Sequence, residues 1–195
     1  MKRCAWCCSD SLSLEYHDKE WGTPLHDDKK HFEYLLMEAM QCGLSWALML
    51  KKRHIFRECF ADFDIASVAA INDEDVKRIL STEGMIRSER KVRAIINNAN
   101  CFLRIIEEFG SFDKYIWSFS DYKTHIYRKH QMGEHEVKNE LSDRLSADMR
   151  RRGFKYLGSV TVYSHLQACG IINDHDPECW KYEADKELSD YIIIE

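Results

Sequence analysis

The chain has 195 residues, 45% of them hydrophobic and only two of them proline, enough for one well-buried core with room for two lobes sharing it. Its opening Met1-Lys2-Arg3-Cys4-Ala5-Trp6 lacks an apolar leader core, and no run approaches the roughly 18 uninterrupted apolar residues of a membrane span. A soluble cytoplasmic protein with no membrane partner is expected, and its eight cysteines then read as free thiols with a metal site, because disulfide frameworks belong mainly to short secreted chains.

The net charge of −5 is unevenly placed: Glu183, Asp185, Glu187, Asp190 and Glu195 against Lys186 put −4 into residues 183–195 and leave −1 for the rest. Residues 1–182 are read as a single domain and 183–195 as an acidic tail. Three basic clusters remain in the domain, Lys51-Lys52-Arg53 with Arg57, then Arg87, Arg90, Lys91 and Arg93, then Arg150-Arg151-Arg152 with Lys155. They suit a phosphate-contacting surface, and equally a set of solvated helix faces.

In chain order, Asp27 or Asp28 caps a helix whose apolar stripe is Phe32, Leu35, Leu36 and Ala39, and Gly43 stops it. Glu38 lies about 120° round that helix from the stripe, which predicts a carboxylate flanking the core at a pocket wall. A second helix is predicted from about Ser45 to Phe60. Asn72-Asp73-Glu74-Asp75 is a capped start for a short helix reaching Leu80. Val92, Ile95, Ile96, Ala99, Leu103 and Ile106 repeat at helical spacing up to Gly110. Between the last two helices, Ser81 to Arg87 forms a short turn containing Gly84. The outline is a helix-hairpin-helix over about 73–109, able to offer backbone N–H groups to a phosphate with Arg87, Arg90 and Lys91 adding charge; an ordinary helix connection fits the same residues.

Residues 119–140 are polar and aperiodic, and read as an irregular surface excursion. Helical spacing resumes through Leu141, Leu145 and Met149 to Gly153, while Val160-Thr161-Val162-Tyr163 suits a strand as well as a buried helix. The fold class is all-α.

His175 and Cys179, four residues apart, can face one ion, with Cys4 and His17 supplying the opposite half of a Cys₂His₂ tetrahedron. Four protein ligands leave no open position, so such an ion would serve structure and tie the two ends of the chain together. Cys4-x-x-Cys7 is a competing half-site, with Cys8 beside it, and buried or idle thiols are the plain alternative. Aromatic and acidic residues concentrate in 16–22 and 38–46, where Tyr16, Trp21 and Trp46, with Trp6, offer flat faces for a planar ring and Glu38 a charge.

Arg3-Cys4-x-Trp6, Tyr16-His17-Asp18-x-Glu20-Trp21-Gly22, Gln41-x-Gly43-Leu44-Ser45-Trp46, Leu50-Lys51-Lys52-Arg53, Arg151-Arg152-Gly153-Phe154-Lys155 and Gln167-Ala168-x-Gly170-x-x-Asn173-Asp174-His175 stand in the order of one family. Over about residues 1–180 the chain resembles the 3-methyladenine DNA glycosylase I family, constitutive bacterial enzymes of the helix-hairpin-helix superfamily. The resemblance implies a helical glycosylase fold and one structural zinc on Cys4, His17, His175 and Cys179, with Cys7 and Cys8 outside it. It implies hydrolysis of the N-glycosidic bond of 3-methyladenine in double-stranded alkylated DNA, with 3-methyladenine as product. Glu38 and Tyr16 would act on the extruded base, Trp46, Trp21 and Trp6 would wall it, and Leu44 after Gly43 would fill the gap left in the duplex. Base removal without strand cleavage is expected, because no lysine stands among the matched motif residues of the pocket segments, and a monomer is expected. A non-catalytic binder of methylated purine or damaged DNA on the same scaffold is the alternative. Ser13 stands where the family carries a pocket tyrosine, Ala39-Met40 replaces a smaller or more polar pair, and the 119–140 segment and the acidic tail depart from the pattern.

Overall fold

The computed structural model describes residues 1–131 and 136–195. A 3₁₀ turn at Ala5–Ser9 leads into α1 (Ser11–Lys19), whose first amides, Leu12 and Ser13, are capped by the Asp10 carboxylate. The next helix, α2 (Asp28–Gln41), starts at Asp27, which accepts from Lys30 N. The neighbouring Asp28 has a different task, accepting the Phe112 and Asp113 amides at 3.1 and 2.8 Å.

Helix α2 carries the predicted stripe of Phe32, Leu35, Leu36 and Ala39, but every residue from His31 to Met40 is buried. The expectation that Glu38 flanks the core is therefore corrected: α2 runs through the interior, enclosed by its neighbours, and no face of its second half is left for solvent. Those neighbours are α3 (Trp46–Cys59), capped by Ser45; α6 (Glu89–Phe109); α7 (Phe112–Ser118); and α10 (Ser159–Ala168). Phe102 of α6 stacks on Phe112 of α7 with centroids 3.8 Å apart, and Phe32 of α2 meets Phe102 edge-on at 5.4 Å.

Between α3 and α6 lie α4 (Ile65–Ala69) and α5 (Asp73–Ser81), the latter begun by a capping box of Asn72 and Asp75. A turn over 82–88 joins α5 to α6, which ends at Gly110. Val160 to Tyr163 belongs to α10, where Val162, Tyr163 and Leu166 are buried.

Two regions differ from the sequence reading. Residues 119–140 are not a surface excursion: they contain β1 (Thr124–Tyr127) and α8 (Arg128–Gln131), and Thr124, Ile126 and His130 are buried; residues 132–135 lie outside the described residues. Nor is the acidic segment a detached tail, since it completes α11 (Trp180–Lys186) and forms β2 (Tyr191–Ile194), which pairs in parallel with β1 from Thr124–Tyr191 to Tyr127–Ile194. The molecule is thus mostly helical with one two-stranded sheet. Helix α9 (Glu140–Arg151), capped by Asn139, packs on α10.

Candidate functional site

Trp6, Tyr16, Trp21, Glu38, Gln41 and Trp46 line a cavity of about 390 Å³, closed on the far side by Ser164 and Gln167 of α10 and by Asp174 and Asp176. Each wall comes from a different element. Tyr16 is on the last turns of α1, Trp21 follows it, Glu38 and Gln41 end α2, and Trp46 opens α3. Gly43 makes the sharp α2–α3 corner possible: its φ of +83° is a left-handed conformation that strains any residue with a Cβ. Leu44 projects there, 40% exposed.

The aromatic walls meet at angles rather than in a stack. Trp6 and Trp21 lie 5.0 Å apart at 73°, and Tyr16 and Trp46 lie 5.3 Å apart at 50°. Trp46 has an indole Nε1 with no hydrogen-bond partner among the described residues. Glu38 is 4% exposed, and burial alone pushes its carboxyl up to about 8. Tyr16 is likewise raised well above its ordinary range by burial. A deep carboxyl without a cation beside it, ringed by indole and phenol faces, is suited to a flat, positively charged ring.

Beneath this wall lies an ion-pair network. Arg53 of α3 grips Glu20 with two parallel bonds of 2.6 and 2.7 Å and Glu33 of α2 through Nε at 2.6 Å, while Lys30 contacts both carboxylates at 2.9 Å. Arg53 and Lys30 hold the Glu20 carboxyl down to about 2 despite its burial. Arg53 therefore does not belong to a phosphate-facing cluster.

Behind Trp21 stand Cys4, His17, His175 and Cys179, all buried, with one ligand atom of each within 4.8 Å of the others. Cys4 Sγ lies 3.5 Å from His175 Nδ1, and Cys179 Sγ lies 3.4 Å from His17 Nε2 and 3.7 Å from His175 Nδ1. A sulfur and a nitrogen on one tetrahedral zinc are separated by about 3.6 Å, so the donor spacing fits that ion. The outer ring nitrogens are also fixed: His17 Nδ1 donates to Asp18 at 2.9 Å and His175 Nε2 to Asp185 at 3.0 Å, the carboxylate–histidine pattern of metal sites. Asp185 comes from the segment read as a tail. Cys7 and Cys8 fall outside the cluster; their Sγ atoms turn to the Cys4 carbonyl. The cluster braces the cavity, because Trp21 packs edge-on against His175 at 4.6 Å and Asp174 and Asp176 flank that histidine. Gly22 permits this approach, since a Cβ there would come within 2.9 Å of His175 Cδ2 and 3.1 Å of Asp185 Oδ2.

The basic residues divide. Arg87 and Arg90 are exposed, and Arg90 lies over the Tyr156 ring at 5.6 Å. Arg90, Arg93, Asn97 and Lys155 line a second hollow of about 460 Å³. Lys91 is turned inward, its Nζ donating to the Met40 and Cys42 carbonyls at 2.7 Å each, which docks the start of α6 against the Gly43–Leu44 corner. Arg152 is held by Glu108 and Asp148 at 2.6 Å each.

Gln41, Ser164, Gln167, Asp174 and Asp176 were given no role by spacing, although Gln41, Gln167 and Asp174 stand within the shared motifs. Neither Ser13 nor the Ala39-Met40 pair lies on the cavity wall; the Ser13 hydroxyl donates to Asp10 at 2.7 Å.

The methyladenine glycosylase family model matches residues 6–182. The chain is 41% identical over 186 residues to DNA-3-methyladenine glycosylase 1 of Escherichia coli (strain K12), covering 95% of this chain and 100% of that protein. A solved 3-methyladenine DNA glycosylase I matches with a TM-score of 0.87 at 41% identity, over 92% of this chain and 98% of that one. A tyrosine-to-phenylalanine variant of 3-methyladenine DNA glycosylase I, solved in complex with 3-methyladenine, gives 0.87 at 34% identity, over 93% and 98%. The fold is mostly helical around an aromatic, acid-lined cavity, and the chain belongs to the methyladenine glycosylase family.

Proposed function

We propose that this protein is a DNA-3-methyladenine glycosylase that hydrolyses the N-glycosidic bond of the methylated base in double-stranded alkylated DNA and releases 3-methyladenine. The observation that carries the reading is the buried Glu38 carboxyl, without a compensating cation, on the wall of an aromatic cavity in a member of this family.

The base must leave the stack to be reached, at a cost of a few kcal/mol that is smaller for damaged bases. While attached to the sugar, 3-methyladenine is cationic, which already weakens its bond. Glu38, ionised on meeting that charge, attracts the cationic ring and discriminates against neutral adenine, because Coulombic attraction is strong in a partly desolvated site. Tyr16 supplies a hydroxyl to the same base, and Trp46, Trp21 and Trp6 wall it. Among the described residues no lysine lines the cavity, which supports base removal without a covalent strand-cleaving step.

Leu44, at the exposed Gly43 corner, would fill the gap in the duplex. We read α5, the 82–88 turn and α6 as the helix-hairpin-helix, with Arg87 and Arg90 toward phosphate and Lys91 fixing the hairpin to the corner. Cys4, His17, His175 and Cys179 would hold zinc in a closed tetrahedron; a bound ion there supplies structure alone. The protein acts as a monomer in the cytoplasm on this reading.

The test is base release from alkylated DNA by the wild type and by Glu38→Gln. Release is expected to fall by roughly a hundredfold in the variant, the scale of losing one preorganised electrostatic contact. Equal release by both proteins removes Glu38 from the mechanism, and base binding without release by the wild type makes the protein a binder.

A further inference from the structure

Away from the cavity, α2 and α10 meet through two imidazoles. His31 on α2 and His165 on α10 are 0% and 1% exposed, and Cys169, immediately after α10, is equally buried. His31 Nδ1 faces His165 Nε2 at 3.3 Å, and one ligand atom from each of the three residues lies within 4.8 Å of the other two. The outer nitrogens are poorly served. His31 Nε2 faces Asp113 Oδ1 at 3.6 Å, and neither it nor His165 Nδ1 has a hydrogen-bond partner among the described residues.

Protons alone do not satisfy this arrangement. If His31 Nδ1 carries the bridging hydrogen, its Nε2 lone pair points at the Asp113 carboxylate and His165 keeps an unpartnered Nδ1–H. If His165 Nε2 carries it, the His165 Nδ1 lone pair is left dry. Either way a buried polar atom is wasted, which native cores rarely allow.

A cation between the rings draws on both inner nitrogens at once and leaves His165 Nδ1–H as the one group of the pair without a partner among the described residues. Two nitrogens bound to one tetrahedral zinc lie about 3.3 Å apart, the spacing found here. Both inner lone pairs are then used, and His31 presents Nε2–H to Asp113, as the histidines of the first cluster do to Asp18 and Asp185. The charges also balance, since one divalent cation meets one thiolate and one nearby carboxylate. Burial keeps His165 neutral by lowering it well below its ordinary range, the form that coordinates. Burial also pushes the Cys169 thiol up to about 12, so the thiolate needs a cation beside it.

We propose that His31, His165 and Cys169 form a second site for a borderline-soft divalent cation such as zinc, separate from the Cys4 cluster and joining α2 to α10. Binding forms two metal–nitrogen bonds and one metal–sulfur bond, and the thiol proton of Cys169 leaves to solvent. The fourth coordination position is open to water or a small anion.

The whole chain, produced in zinc-supplemented medium and freed of loose ion by gel filtration, is analysed for zinc per protein. His165→Phe keeps a ring of similar size in the core, and Cys169→Ala needs less repacking still. Wild type is expected to hold one equivalent more than either variant, a difference that isolates this site whatever the Cys4 cluster contains. Cobalt(II)-loaded wild type should also lose thiolate-to-cobalt charge-transfer absorption on Cys169→Ala. Equal zinc content in the wild type and both variants, with an unchanged cobalt spectrum, would overturn the proposal.

Discussion

At Glu38 the needs of stability oppose those of the recognition proposed for it. Its carboxyl is raised from 4.5 to about 8, so the folded chain binds a proton that the unfolded chain releases in that window. Stability therefore falls as pH rises from about 4.5 to about 8, by up to about 5 kcal/mol in all. Activity runs the other way, because the cationic nucleotide is met by the ionised form. The kcat/KM for alkylated DNA is expected to rise toward pH 8 and level off, and in Glu38→Gln both trends should flatten; a pH-independent wild-type profile would separate Glu38 from recognition. Arg53 is the opposite case, a charge whose value is entirely internal. Arg53→Ala leaves Glu20 and Glu33 to share Lys30 and should lower stability by about 3 kcal/mol in chemical denaturation, since it breaks buried pairs and under-compensates two carboxylates.

The α2–α3 corner is the element on which function and fold separate most cleanly. Leu44 is 40% exposed, so Leu44→Ala should change stability by about 0.5 kcal/mol or less. On duplex substrate it should slow base release roughly tenfold, equivalent to about 1.4 kcal/mol, if filling the vacated stack is its task. Single-stranded alkylated DNA, with no gap to fill, is the control, and equal losses on both substrates would count against the plug. Elements with a strong local signal were legible in the sequence: the starts at Asp27, Ser45 and Asn72 and the end of α6 at Gly110 stand where spacing placed them, while the buried face of α6 runs from Val92, Ile95 and Ala99 to Phe102 and Ile105 and leaves the predicted Leu103 exposed. The strands were not. Each has four residues, and the partner that makes Thr124–Tyr127 a strand lies at the far end of the chain. The burial of Glu38 was also illegible, because amphipathic reasoning assumes one wet face and α2 has none along its second half.

For the molecule as a whole, the aromatic members of the cavity, Glu38 and the cysteine and histidine cluster could be read from residue types, through local spacing and family resemblance. The α10 wall and Asp185 could not, because only the closing of the chain brings them to the site. That closure is strong on this geometry: besides the cluster, Trp180 N donates to the Lys2 carbonyl at 3.1 Å and the buried Lys181 ammonium to Trp21 O at 3.0 Å. Stripping metal from the loaded protein with a chelator should lower Tm by about 5 °C, the shift about 2 kcal/mol produces in a chain of this size. Unchanged melting after the metal is gone would assign the closure to packing and hydrogen bonds alone.

The cavity joins Trp6 and Tyr16 to Asp174 and Asp176, residues far apart along the chain. A growing chain carries its indole walls long before Asp174 and Asp176, and the cavity has no far side until that later segment is drawn back across the molecule. Contacts of such separation form late, because loop closure precedes their reward. A fragment that stops before Asp174 should therefore lack the closed cavity.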